Sequence, residues 1–116
     1  MITLFHNPRC SKSREALALL QAHHIEPAIR LYIDNPPDAT ELRNLLKKLK
    51  LGARQLLRTG EESYKTLNLK REELTDEQLI DFMVQYPKLI ERPIAIKGQQ
   101  AVIGRPAENV LQLIDN

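Results

Sequence analysis

Cys10 is the sole cysteine of this 116-residue chain, and it lies in the stretch LFHNPRCSKSREALALL, Leu4 to Leu20, where a short apolar run meets a helical pattern. One thiol can neither close an intramolecular disulfide nor supply a cysteine-rich zinc site, which leaves an inert small hydrophobe or a single reactive group. Its surroundings favour reactivity. A thiol between a strand and the start of a helix faces the unbonded N–H groups of the first turn and the positive end of the helix dipole, and both favour thiolate. Backbone N–H groups from Ser11 onward, the Ser11 and Ser13 hydroxyls, and the cations Arg9, Lys12 and Arg14 compose a cradle suited to an oxyanion beside the sulfur.

Spacing tests two familiar thiol chemistries. A phosphatase loop of the Cys-x5-Arg kind needs arginine at position 16, where Ala16 stands. A Cys-x-x-Cys redox centre needs a second cysteine where Ser13 stands, so any disulfide must form with another molecule.

The elements that would position this thiol follow from the pattern on either side of it. Ile2 to Phe5 reads as a buried strand running into a His-Asn-Pro turn, and a helix starts near Ser11 with Ala16, Leu17 and Leu20 at helical spacing. Ala28 to Ile33 alternates and predicts a second strand with Ile29, Leu31 and Ile33 on one side, completing a β-α-β unit. After the turn cluster Asp34 to Asp38, Leu42, Leu45, Leu46 and Leu49 mark a second helix that Gly52 would terminate. Ala53 to Leu57 predicts a short helix, and Thr75-Asp-Glu-Gln78 is a capping box ahead of Leu79, Phe82 and Met83, in a helix closed by Pro87. Ile94 to Lys97 and Ala101 to Ile103, joined by Gly98-Gln-Gln100, read as a hairpin; Pro106 then suits the first position of a last helix carrying Val110, Leu111 and Ile114. The order β-α-β, helices, β-β-α predicts an α/β fold with a thioredoxin-like core and helices on both faces. The chain is expected to form one domain over residues 1–116, with a helical insertion at about 38–90.

Composition narrows the classes of function. Hydrophobic residues make up 42% and charged residues 28%, the balance of a globular domain that folds without staples. A net charge of +2 is no basic stripe for nucleic acid, so any anion site must be local. The chain has no apolar run of membrane-spanning length and no signal-peptide pattern, so a cytoplasmic protein is expected. The Gly-rich dinucleotide fingerprint and clustered metal ligands are missing, so no tightly bound cofactor and no metal are expected; His23 and His24 read as surface or capping residues.

His6-Asn-Pro-Arg-Cys-Ser-Lys-Ser-Arg14 resembles the active-site segment of the glutaredoxin-linked arsenate reductase (ArsC) family, whose pattern is His-Asn-Pro, one residue, Cys, two residues, Ser-Arg. Leu56-Leu-Arg58, Asp76 to Met83, Ile90-Glu-Arg-Pro-Ile94 and Gly104-Arg-Pro106 are similar to that family's later blocks, in order and at suitable intervals. The resemblance implies that Cys10 is the nucleophile and that Arg58, Arg92 and Arg105 bind the arsenic oxyanion. It implies further that His6 and Ser13 support the thiolate, that Asn7 and Arg14 are structural neighbours of the site, and that Pro93 is the cis proline beside the active cysteine. An arginine fork suits these roles physically, since it donates in bidentate fashion to a tetrahedral oxyanion and stays protonated.

The implied reaction is reduction of arsenate to arsenite through a covalent Cys10–arsenate species, with glutathione as co-substrate, a glutaredoxin as partner and a monomer as the working form. Two other readings stand as alternatives: a regulator that binds RNA polymerase, as some members of the family do, and a monothiol glutaredoxin-like protein acting on glutathione mixed disulfides, where Cys-x-x-Ser also occurs. The Ser13 that replaces a second cysteine weighs against the first, and indifference to loss of Arg58 or Arg105 would mark the second.

Overall fold

The computed structural model describes residues 1–114 of the chain. In order, they form β1 (Thr3–Phe5), α1 (Ser11–Ala22), β2 (Ala28–Arg30), α2 (Ala39–Leu49), α3 (Ala53–Leu56), α4 (Glu62–Thr66) and α5 (Asp76–Gln85). A 3-10 turn at Pro87–Leu89, β3 (Ile94–Lys97), β4 (Gln100–Ile103) and a 3-10 segment at Ala107–Leu113 complete the chain. Two compact units result, one of residues 1–35 together with those from 92 onward, the other of residues 36–91.

The first unit is built on a four-stranded sheet in the order β2-β1-β3-β4. β1 pairs parallel with β2 and antiparallel with β3, which returns antiparallel to β4. The predicted hairpin is present, and its two-residue loop places Gly98 at φ +60°, a conformation glycine adopts without a Cβ penalty. Ile2 and Leu4, with Ala95 opposite Leu4, share one sheet face; Ala16 and Leu20 of α1 and Ala107, Val110 and Leu113 of the last segment close a core over it. At about 25 cal/mol per Å² of apolar surface, this burial holds the first turn of α1 against the end of β1.

Gly104 sits against that core with no room for a side chain. A Cβ there would come within 2.9 Å of Pro93 Cγ and 3.1 Å of Val110 Cγ1. Gly104→Ala is therefore expected to destabilise the protein by about 1–3 kcal/mol, as overpacking of a filled core does, read as a lower midpoint in a denaturant titration.

β2 differs from its sequence pattern. It spans three residues, not six, and the alternation is inverted: Ile29 and Leu31 are 44% and 41% exposed while Tyr32 is buried. The reason lies in its position at the sheet edge, where one side of the strand has no neighbour; Tyr32 instead stacks on Phe5 at 6.1 Å, with Arg30 over the same ring at 5.3 Å. The last segment also departs from expectation. It is 3-10 instead of α, and Pro106, which follows a cis Arg105–Pro106 bond, precedes the segment instead of opening it.

The second unit is helical. Asp38 caps α2 by accepting from Glu41 N–H at 2.8 Å, and Leu42, Leu45 and Leu46 face inward. Lys50 in the left-handed conformation, φ 59°, ends α2; Gly52 instead precedes α3, its N–H donating to Gln55 Oε1 at 2.8 Å. The Thr75–Gln78 capping box starts α5 as read, and α5 ends at Gln85, two residues before Pro87. Leu57 and Ile90 form an antiparallel bridge flanked by Arg58 N–H to Leu89 O at 2.8 Å and Glu91 N–H to Leu56 O at 2.9 Å. That ladder fixes the backbone from which Arg58 projects.

Candidate active site

β1 delivers the chain into a turn at His6 to Arg9, and Cys10 follows as the N-cap of α1. Asn7 organises this turn from both of its oxygens: its carbonyl accepts from Cys10 N–H at 2.9 Å and its Oδ1 from Arg9 N–H at 3.0 Å. An Asn-Pro turn is the local signal for such an arrangement. α1 grips the turn in return. Ser13 Oγ accepts from Asn7 N–H at 3.0 Å and lies 2.6 Å from His6 Nδ1, and Arg14 Nη1 donates to Pro8 O at 2.9 Å.

Ser13 is wholly buried and His6 nearly so. Burial foremost, and then the charge of Arg14, lower the pKa of His6, so its imidazole is held neutral. The Ser13 hydroxyl is thus spent on His6 and Asn7, and its contribution to the thiol is made by its backbone N–H. Ser13→Ala leaves polar groups of His6 and Asn7 unsatisfied and is expected to cost about 1–3 kcal/mol of stability, while threonine, which keeps the hydroxyl but adds a methyl group, should recover only part of it; thermal denaturation of the variants checks both.

Cys10 is 8% exposed. Burial pushes its thiol up, but Ser13 N–H, the Arg92 charge, Lys12 N–H and a hydrogen bond from the Arg92 side chain outweigh it, and the pKa falls below the ordinary cysteine value. The leading charge is Arg92, far along the chain, and not the Arg9, Lys12 or Arg14 that flank the thiol in sequence. Pro93, which follows Arg92, is cis, as the family resemblance implies.

The other two arginines are placed differently. Arg105 is exposed and precedes the cis Pro106; its backbone carbonyl accepts from Asn109 Nδ2 at 3.2 Å. Arg58 belongs to the helical unit, where Nη1 lies 3.0 Å from Glu61 Oε2 and 3.3 Å from Lys88 O. Sequence reasoning missed Glu61, although Arg-x-x-Glu spacing across a turn is a signal for such a pair. His23 and His24 play the capping part read for them: His23 ends α1, with Nδ1 3.0 Å from Leu19 O, and His24 takes φ 61°. Among the described residues no group of three or more His, Cys, Asp or Glu side chains is arranged to hold a metal ion, and no helix is long and apolar enough to cross a membrane.

A thiol of lowered pKa at a helix N-terminus, with an arginine side chain hydrogen-bonded to the sulfur, has the chemistry that nucleophilic attack on a bound anion requires. The model of the ArsC family matches residues 5–113. The arsenate reductase of Haemophilus influenzae is 45% identical over 114 residues, covering 97% of this chain and 98% of that protein. The uncharacterized protein YfgD of Escherichia coli K12 is 50% identical over 114 residues, covering 97% and 96%. The structure of an arsenate reductase from Vibrio cholerae has a TM-score of 0.94 at 45% identity, covering 97% of each chain. The match runs over nearly the whole length of the chain, and the chain is a member of the ArsC family with its thioredoxin-like fold.

Proposed function

We propose that the protein is a glutaredoxin-dependent arsenate reductase that uses glutathione as co-substrate. The observation that carries this reading is the convergence of Ser13 N–H, Lys12 N–H and the Arg92 side chain on the Cys10 sulfur, which lowers its pKa despite burial. The relatives named arsenate reductase at 45% identity support arsenate as the oxyanion.

In the first step the Cys10 thiolate attacks arsenic(V). An S–As bond forms, an As–O bond breaks, and the departing oxygen takes up protons to leave as water. Arg92 and Arg105 hold the remaining oxygens by charge-assisted hydrogen bonds; the neutral His6, through Ser13, holds the turn that carries the thiol. Glutathione then adds at arsenic, and a second water leaves with the thiol proton. A glutaredoxin thiolate attacks the glutathione sulfur, forming a mixed disulfide, and the As–S electron pair stays on arsenic, which becomes arsenic(III). Water releases arsenite and returns Cys10. The single cysteine suits this division of labour, because the electrons come from outside the chain. The protein would work as a monomer in the reducing cytoplasm.

The test is a coupled assay with arsenate, glutathione, glutaredoxin, glutathione reductase and NADPH. NADPH consumption that needs both arsenate and glutaredoxin is expected; consumption that proceeds equally without arsenate, on a glutathione mixed disulfide, would replace this reading by a monothiol glutaredoxin activity.

A further inference from the structure

The reaction proposed above requires an anionic thiol to approach Cys10, and it leaves two cations beside Cys10 without a part. Arg92 is the leading charge on the sulfur, and Arg14 is turned to Pro8 O at 2.9 Å and acts on His6. Arg9 and Lys12 remain, and both are exposed. Among the described residues the Arg9 guanidinium has no hydrogen-bond or ion-pair partner; only its backbone N–H is engaged, 3.0 Å from Asn7 Oδ1. Lys12 Nζ meets Glu15 at 3.8 Å with both side chains about half exposed, a contact weak enough to exchange for another carboxylate. One cation thus stands directly before the nucleophile and one two residues after it, on a turn that Asn7, Ser13 and Arg14 make rigid.

We propose that Arg9 and Lys12 form a carboxylate-binding subsite for the thiol co-substrate, so that Cys10 reacts preferentially with partners built on a carboxylate-bearing thiol. Glutathione fits, with two carboxylates and one ammonium. The inference rests on the reading of glutathione as co-substrate, but it concerns the approach to Cys10 and not the oxyanion. Cations so exposed add little to the affinity for a small oxyanion held by buried donors, and they suit a longer ligand whose charges lie away from its sulfur.

A disulfide exchange that omits arsenate isolates the approach of such a partner to Cys10. Cys10 thiolate attacks glutathione disulfide; a Cys10–glutathione S–S bond forms, the original S–S bond breaks, and glutathione thiolate leaves. The rate is compared with that for the neutral disulfide of 2-mercaptoethanol by mass spectrometry of the modified chain. The wild type should prefer glutathione disulfide, and the Arg9→Ala/Lys12→Ala variant should lose about three- to tenfold of that preference, each rate being divided by the same protein's rate with the neutral disulfide. A Lys47→Ala/Lys70→Ala variant, which removes the same charge from exposed positions of the helical unit, should behave as wild type. An equal preference in the Arg9/Lys12 variant, no preference in the wild type, or the same loss in the control variant would overturn the subsite. Absence of arsenate turnover in the coupled assay with the exchange preference intact would sink the arsenate reading and leave the subsite standing.

Discussion

Cys10→Ser should abolish arsenate-dependent NADPH consumption, reducing it on the order of a thousandfold or more, to the rate without protein. The reason is in the proton inventory of the site. The donors around position 10 lower a thiol to below its ordinary pKa against the opposing effect of burial. An alcohol starts so much higher that the same donors leave it protonated at neutral pH, and no S–As bond can form. The substitution is close to isosteric, and Ser13 N–H and Lys12 N–H offer the new oxygen hydrogen bonds. A loss of activity with an unchanged thermal midpoint therefore isolates the chemistry from the fold. Turnover of the serine variant at a tenth of the wild-type rate or more would show that Cys10 is not the nucleophile.

The sequence was most informative where the structure is local. The thiol at a strand–helix junction, the start of α1 at Ser11, the Gly98 hairpin and the Thr75–Gln78 box each depend on residues within a few positions of one another, and short-range patterns report them. The errors came from terms a local pattern does not contain. β2 was overextended because alternation of Ile29, Leu31 and Ile33 says nothing of an edge position, where a hydrophobic side chain has no sheet neighbour on one side. Gly52 was read as a helix stop, whereas Lys50 takes the left-handed conformation itself. At the site, the cations Arg9, Lys12 and Arg14 drew attention by adjacency. The leading charge on the sulfur instead comes from Arg92, far along the chain, and only the family resemblance could point to it. The hydroxyl of Ser13 likewise has its partners in His6 and Asn7, a pairing that depends on how the turn folds back on α1 and not on spacing alone.

Arg92→Ala separates the two tasks that Arg92 combines. Its charge and its hydrogen bond both lower the Cys10 pKa, against burial, which raises it. Their removal should move the midpoint of thiol ionisation upward, leaving the Ser13 and Lys12 N–H groups as the remaining support. Alkylation by a neutral reagent follows the thiolate fraction, so the variant should lag the wild type most at pH values between the two midpoints and catch up above the ordinary thiol range. The sign for stability follows from the same shift. A folded-state pKa below the unfolded value contributes stability that is full above the unfolded pKa and is lost as pH falls through the folded pKa; the variant should show a smaller change across that window. Oxyanion binding is the second task, the one proposed for it, and loss of one charge-assisted contact should cost about 1.5–3 kcal/mol, a ten- to hundredfold weaker affinity for arsenate. Arg92→Lys divides the two, since a lysine restores charge near the sulfur but not the planar fork, and should recover more of the ionisation midpoint than of the affinity. An alanine variant whose alkylation midpoint coincides with that of the wild type would remove Arg92 from the thiolate, and the sulfur would then owe its acidity to the helix N–H groups alone.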